Sequence, residues 1–439
     1  MRRLALLLTV LSFIALPATA RSRVVLLQFS DYHSHAQPFY SEGRAAQGGI
    51  ARAIGYLAAE RRKGALVFNG GDMVNKGSPA WSDKYRCAEW SWFNGIVDAM
   101  ALGNHDPDYG AEVFNGCREP LHYPVLSANT AGFSASATFR AGGVRIGVFA
   151  VAGSDFPALV KSSGFAFTDR VAAAREIVRD LRDRDKADAI VLIGHESTED
   201  DEALARAVPG IDLIFGSHSH LKEELRRIDG TSTWFLSPSQ YLTYISRVEM
   251  TFDRHKLVAV RGRLVRVDAS LLVDRTIAAR VATMQRELEA DPDYAALFQT
   301  VAVLKEPMTV EQLATHVVEV MRERAGADAA LSTASSFRQP LPPGRITMED
   351  LRASLPYDNE IVVKEMRGIE LKRLIAVSAA RKGTDNYAYM TVPGAIADDH
   401  VYQVAATDYV ANVSPVYAEF FKQARRTGLR VRDEFRKSM

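Results

Sequence analysis

Cysteine is nearly missing from this sequence: Cys87 and Cys117 are the only two in 439 residues. They leave room for one bridge at most, and read either as a disulfide in an oxidising compartment or as two buried thiols. An excess of one charge is missing too. Lys and Arg number 54 against 53 Asp and Glu, so the charge points to no nucleic acid polymer or other polyanion as partner. Internal repeats and low-complexity tracts are absent. With 47% hydrophobic and 24% charged residues, the composition is that of a soluble globular chain and excludes the disordered and fibrous classes. The length accommodates two or three domains around a large buried core.

Long apolar runs are missing everywhere except at the start. MRRLALLLTVLSFIALPATA joins a basic beginning at Arg2 and Arg3, an apolar stretch over 4–16 and the small residues Ala18-Thr19-Ala20. These are the parts of a secretory signal peptide, with cleavage expected after Ala20. The apolar stretch is short for a bilayer span and has no basic stop-transfer flank. Its removal takes two arginines and no acid, moving the formal net charge from +1 to −1. The mature chain is then expected to be exported, periplasmic or secreted, with no membrane span.

What the chain does have is a succession of short apolar runs, at 24–29, 65–68, 144–151, 189–193 and 211–215, separated by helical patterns such as 50–62 and 171–184. Strands alternating with helices predict an α/β layer architecture. Later strands at 234–236 and 246–252 are expected as antiparallel additions, which makes the sheet mixed. After Val267 the pattern becomes one amphipathic stretch over 270–297, with Ile277, Val281, Met284 and Leu288 at helical spacing. It predicts a helix connecting two domains. A second α/β unit follows. Thr309 and Gln312 make a capping-box pattern, Thr347 starts another helix, 360–366 reads as a strand and 369–379 as a helix. A last helix is expected to start at Ser414-Pro415.

The strand ends carry the chemistry. The run at 24–29 ends in Asp31 and His33, whose two-residue spacing beyond a strand lets both side chains point the same way. The run at 65–68 leads to Gly71-Asp72, 99–102 to Gly103-Asn104-His105-Asp106, 189–193 to Gly194-His195, and 211–215 to Gly216-Ser217-His218-Ser219-His220. Any one of these is an ordinary loop. Together they deliver hard and borderline metal ligands to the crevice beyond the strand ends, where α/β sheets bind ligands.

In this order the motifs resemble the calcineurin-like metallophosphoesterases and, within them, the secreted 5′-nucleotidase family. Gly48-Gly49-Ile50-Ala51-Arg52, LARAVPGIDLIFGSHSH from Leu204, and PYDNEIVVKEMRGIELKRLI from Pro356 extend the likeness over nearly the whole mature chain. The resemblance implies a mixed-sheet metallophosphoesterase sandwich flanked by helices over 21–268 and a linker helix over 269–298. A shortened C-terminal α/β domain for substrate recognition would follow over 299–439.

It also implies a dinuclear site. Asp31, His33, Asp72 and His220 would hold one divalent ion, and Asp72, Asn104, His195 and His218 the other, with Asp72 bridging two cations roughly 3.5–4 Å apart. Imidazole and carboxylate ligands suit Mn, Fe, Co or Zn better than Ca or Mg, and with no cysteine among them a thiolate zinc site is excluded. His105 would stabilise the transition state or protonate the leaving oxygen, oriented by Asp108. Arg338 stands at a substrate-contacting position, and Tyr389 and Tyr417 near two base-stacking positions. The family's glycine-rich segment before the second ring is replaced by Asn412-Val413-Ser414-Pro415-Val416, which alters the nucleoside pocket.

The expected activity is a metal-dependent phosphoric ester hydrolase acting on nucleotides or related small phosphate esters. A 2′,3′-cyclic-nucleotide phosphodiesterase, a nucleotide-sugar hydrolase and a thiosulfohydrolase share the scaffold, and a non-catalytic ligand-binding protein is the alternative outside the enzymes. His35 reads as a supporting or solvated side chain, His122 and His316 as structural, and Tyr40, Trp90 and Trp92 either as lining a cleft or as packing.

Overall fold

The computed structural model describes residues 21–160 and 163–439. The expected signal peptide lies outside them. The Ser22–Phe29 strand sets the architecture by alternation. Val24 and Leu26 face one apolar layer, while Leu27 and Phe29 face another, as the two-residue period of a strand requires.

Six strands form the first sheet, in the order Lys256–Arg266, Tyr244–Asp253, Ser22–Phe29, Leu66–Asn69, Ala99–Ala101, Val125–Leu126. Six more form the second, in the order Lys222–Arg227, Trp234–Pro238, Leu213–Phe215, Ala189–Leu192, Val144–Phe149, Ser136–Ala141. The sheets share a core of Leu26, Phe68, Ile146, Val191, Phe215 and Val248, all fully buried. Each such side chain contributes about 1.5–3 kcal/mol relative to exposure. Helices Ile50–Arg62 and Arg275–Ala290 pack on the outside of the first sheet, and Arg170–Asp183 covers the outside of the second together with Thr198–Ala207. The result is the mixed-sheet sandwich flanked by helices.

Tyr244–Asp253 is antiparallel to Ser22–Phe29, as expected. Trp234–Pro238 is not an antiparallel addition: it runs parallel to Leu213–Phe215. The intervening Lys222–Arg227 strand turns the chain round once, and its hairpin with Trp234–Pro238 turns it again. Cys87 and Cys117 form a disulfide, the first of the two readings open to them, tying the Trp90–Phe93 turn to helix Ala111–Arg118.

The connecting helix is shorter than its amphipathic pattern. Asp274 caps it by accepting the Ile277 N–H at 3.0 Å, and it stops at Ala290 because Asp291 precedes Pro292 and is extended, at φ −72° and ψ 123°. A five-stranded sheet follows, in the order Ala388–Thr391, Ala329–Thr333, Val401–Thr407, Glu360–Arg367, Arg425–Arg430. Helix Val310–Ala325 packs on one face and Gly368–Ala379 on the other. The capping box is present: Thr309 Oγ1 accepts the Gln312 N–H at 3.2 Å, and Gln312 Oε1 accepts the Thr309 N–H at 2.8 Å.

No helix starts at Ser414-Pro415. Ser414 Oγ accepts the Tyr417 N–H at 3.3 Å, but this closes a single turn leading into the short 3₁₀ segment Ala418–Phe421, which Gln423, at φ 62°, ends. The helix here is the earlier Asp408–Asn412, capped by Thr407.

The C-terminal sheet's loops lean on the sandwich through named contacts. Glu349 accepts the Ala80 N–H at 2.5 Å, Arg352 pairs with Asp83 at 3.2 Å, and Gln240 donates to the Arg338 carbonyl at 3.2 Å.

Candidate metal centre

Each strand-end loop is bent tightly enough to aim a polar side chain inward. Asp31, His33, Asp72, His218 and His220 all take positive φ, between 46° and 58°, a region that costs a non-glycine residue about 1–3 kcal/mol and persists where the surroundings over-determine it. Backbone pairing does so here: Asp31 N–H donates to the Gly71 carbonyl and His33 N–H to the Asp72 carbonyl, each at 3.0 Å. Gly103 is required for contact, since a Cβ there would stand 2.1 Å from Asp72 N and 2.2 Å from Asp72 Oδ1.

Asp106 clamps the same two loops. Its Oδ1 accepts the Met73 N–H at 2.8 Å and its Oδ2 the Gly103 N–H at 2.7 Å. It lies inside the Gly103-Asn104-His105-Asp106 motif, but no separate role for it was legible there.

The side chains converge in two overlapping sets. Asp31, His33, Asp72 and His220 offer donor atoms within 4.8 Å of one another, and so do Asp72, His195 and His218. His33 Nδ1 lies 3.1 Å from the Val74 carbonyl and His195 Nδ1 lies 2.6 Å from the Gly70 carbonyl. Each Nδ1 therefore carries the proton, leaving Nε2 as a bare acceptor facing the cluster. His195 Nε2 is 3.2 Å from Asp72 Oδ2, and His220 Nε2 is 3.1 Å from both Asp31 Oδ1 and His33 Nε2.

Three buried atoms, Asp72 Oδ2, Asn104 Oδ1 and His195 Nε2, have no hydrogen-bond partner. An unsatisfied buried polar atom costs about 1–3 kcal/mol, and two of these atoms, Asp72 Oδ2 and His195 Nε2, stand 3.2 Å apart inside one donor set, where a cation would meet both. The residues present fit divalent metal.

The electrostatics agree. Burial pushes His33 down to about 3, keeping its ring neutral. At His195 burial works the same way, but the Asp72 and Asp31 carboxylates outweigh it and draw the ring up to about 10: the cluster's negative charge favours positive charge at that nitrogen, from a proton or from a metal ion. Burial alone would raise Asp72; the His195, His105 and His33 rings outweigh it and hold the carboxylate below its usual range.

His105 sits beside this cluster. Its N–H donates to Asp72 Oδ1 at 2.8 Å and its Nδ1 lies 2.8 Å from Asp108 Oδ2. Burial lowers its pKa, but Asp108 and Asp72 prevail and hold it well above the ordinary histidine value. Arg338 arrives from the C-terminal sheet, with Nη1 against the His220 ring, 3.0 Å from Nε2, and Nη2 donating to the Tyr357 hydroxyl at 2.8 Å.

The two tyrosines of the expected base site are not brought together. Tyr417 is fully buried beside Leu374 and Phe421 and donates to the Asn386 carbonyl at 2.8 Å. Tyr389 packs on Phe337, at 5.7 Å between centroids, in the apolar layer on the opposite face of the sheet.

Sequence reasoning missed Asp155, whose Oδ2 lies 2.9 Å from His218 Nε2 and fixes the orientation of that ring. Asp155 follows the apolar run 144–151, so the same strand-end rule that found the others could have found it. His35 is half-buried and stacked on Tyr241 at 3.6 Å, and Trp90 and Trp92 are core.

A helix-flanked sandwich with carboxylates and imidazoles gathered at its strand ends is the architecture of a metallophosphoesterase. A family model for calcineurin-like phosphoesterase matches residues 24–222, and one for the 5′-nucleotidase C-terminal domain matches residues 295–414. The chain is 27% identical over 430 residues to protein UshA of Yersinia enterocolitica, spanning 83% of this chain and 78% of that protein. It is 23% identical over 461 residues to the 5′-nucleotidase of Homo sapiens, spanning 89% and 78%.

Among solved structures it resembles a 5′-nucleotidase precursor from Thermus thermophilus, with a TM-score of 0.74 at 21% identity, covering 94% of this chain and 96% of that one. It also resembles the sulfate thiohydrolase SoxB of the same organism, with a TM-score of 0.74 at 18% identity, covering 94% of each chain. These two likenesses are of fold. The chain belongs to the calcineurin-like phosphoesterases that carry a 5′-nucleotidase C-terminal domain, and by that membership it is a metal-dependent phosphoester hydrolase.

Proposed function

We propose that this chain is an exported dinuclear-metal phosphohydrolase that removes phosphate from nucleotides or related small phosphate esters. The observation that carries the reading is the pair of donor sets that share Asp72, in which Asp72 Oδ2 and His195 Nε2 are buried without a hydrogen-bond partner. Asp31, His33, Asp72 and His220 hold one ion, and Asp72, Asn104, His195 and His218 the other. The donor set favours Mn, Fe, Co or Zn. Ions so held supply positive charge to a phosphate ester and acidify water.

The protein's own groups do the rest. Arg338 contributes a guanidinium to the phosphoryl oxygens. Asp108 takes the Nδ1 proton of His105 in a hydrogen bond, so the ring's Nε2–H faces outward as the donor to the leaving oxygen, worth roughly 10²–10⁴ in rate. Asp155 orients His218. The metallophosphoesterase domain spans 21–268, the linker 269–298 and the substrate domain 299–439. Export rests on the first twenty residues; among the described residues no helix is long and apolar enough to cross a membrane.

The relatives named 5′-nucleotidase and UshA support a nucleotide. The separation of Tyr389 and Tyr417, with the likeness to a sulfate thiohydrolase, favours as second reading a hydrolase whose leaving group is not a nucleoside. Phosphate release from adenosine monophosphate and from p-nitrophenyl phosphate, by the Mn-loaded mature chain, tests both. Release from each, abolished by chelation and by Asp72→Asn, is the expected result. Release from p-nitrophenyl phosphate alone would select the second reading, and none from either would overturn the hydrolase.

A further inference from the structure

Arg338 carries a charge that nothing nearby balances. Among the described residues no carboxylate lies within ion-pair distance of it, its Nε–H is buried without a partner, and one Nη is directed at the imidazole of His220. Its one conventional polar partner at the guanidinium is the Tyr357 hydroxyl, which accepts from Nη2 at 2.8 Å.

A phenol can accept and donate at once. Tyr357 accepts from Arg338; among the described residues no acceptor stands within hydrogen-bond distance of its own O–H. The ring is half-buried, between Pro356, which is buried, and Asp358, which is exposed. It lies within electrostatic reach of His105 and Asp108 as well as of Arg338. Tyr357 and Arg338 thus present two donors without an acceptor, one bonded to the other, where Arg338 meets the His220 ring that itself lies 3.1 Å from Asp31 in the donor cluster.

From this juxtaposition we infer that Tyr357 is a catalytic residue: its hydroxyl donates a hydrogen bond to a non-bridging phosphoryl oxygen of the bound ester while its lone pair holds Arg338 in place. The inference rests on the phosphohydrolase reading above. An anion with several acceptor oxygens satisfies both donors and compensates the guanidinium; a neutral group satisfies one donor at most and leaves the charge uncompensated. No bond to Tyr357 forms or breaks, and its proton stays on the phenol oxygen.

The test is Tyr357→Phe, which keeps the ring and removes one oxygen. In the metal-loaded mature chain, with p-nitrophenyl phosphate as substrate, kcat/KM falls 10- to 100-fold and the inhibition constant of inorganic phosphate rises about tenfold, while metal content and melting temperature stay at wild-type values. Arg338→Lys, which keeps the charge but loses the planar fork, gives losses that do not add to those of Tyr357→Phe.

Phosphate inhibition and kcat/KM both within twofold of wild type in Tyr357→Phe would overturn the inference. So would additive losses in the double variant. Calorimetric titration with inorganic phosphate separates this from a failure of the hydrolase reading. If wild type hydrolyses no ester yet binds phosphate, tighter binding than in Tyr357→Phe keeps the donor pair, and equal binding removes it. If wild type neither hydrolyses nor binds phosphate, both readings fall.

Discussion

Asp155 is a small side chain with a large lever. It touches His218 at Nε2, and a ring hydrogen-bonded there has its direction set. Asp155→Ala frees His218 to rotate, and metal affinity at the Asp72, His195 and His218 set is expected to fall 10- to 100-fold, read by competition against a chelator of known strength. Unchanged affinity would mean that backbone geometry alone aims the ring. At this scale the sequence was most informative where residue type and strand-end position coincide, as at Asp31, His33, Asp72, His195, His218 and His220. It was silent where a residue matters through a neighbour. Asp106 acts through the backbone amides of its neighbour Gly103 and of the distant Met73, and Tyr357 meets the Arg338 guanidinium from 19 residues away.

The segment carrying the Trp90–Phe93 turn shows what an element can hide. Glu89, fully buried, accepts from Tyr32 at 3.1 Å and from the Trp81 indole N–H, and burial pushes its pKa up to about 7. Its unfolded value is close to 4.3. Between those values the folded chain binds the proton more tightly than the unfolded one, so stability falls as pH rises through that window and stays at its lower level above it. Glu89→Gln keeps an acceptor and cannot ionise. Relative to it, the wild type should lose about 3 kcal/mol of unfolding free energy between pH 5 and pH 8, measured by denaturant melts at each pH; parallel curves would refute this.

Elements with local signals were legible. The capping box at Thr309, the cap at Thr347 and the helix over Ile50–Arg62 are where periodicity and caps predict them. Elements set by distant partners were not. The direction of Trp234–Pro238 depends on a hairpin that precedes it, and Ser414 looks like a cap in a stretch where the chain has room for one turn only.

At the scale of the whole molecule, the candidate site belongs to two parts of the chain. Arg338 and Tyr357 come from the C-terminal part, while the metal-ligand candidates come from the sandwich. Arg352, paired with Asp83 and bonded to the Gly77 carbonyl, is one of the contacts that hold the two together. Arg352→Ala removes a partly buried charged contact of about 1–3 kcal/mol. The expected result is a larger radius of gyration in solution scattering and a KM raised roughly tenfold, with metal content unaltered. An unchanged scattering profile together with an unchanged KM would show that the remaining contacts suffice.

The strand that leads to Asp31 is bordered by Leu66–Asn69 on one side and by Tyr244–Asp253 on the other. Early in synthesis one edge of it is bare, and it stays so until more than two hundred further residues have been made. The His218 and His220 loop also joins late. Such long-range pairing slows folding, and it orders events: four of the seven candidate donors precede the other three by a long stretch of chain, so the set is complete only once the late loops have joined. A metal ion held by this set would then be gripped fully only at the end of folding, once the last strands have closed.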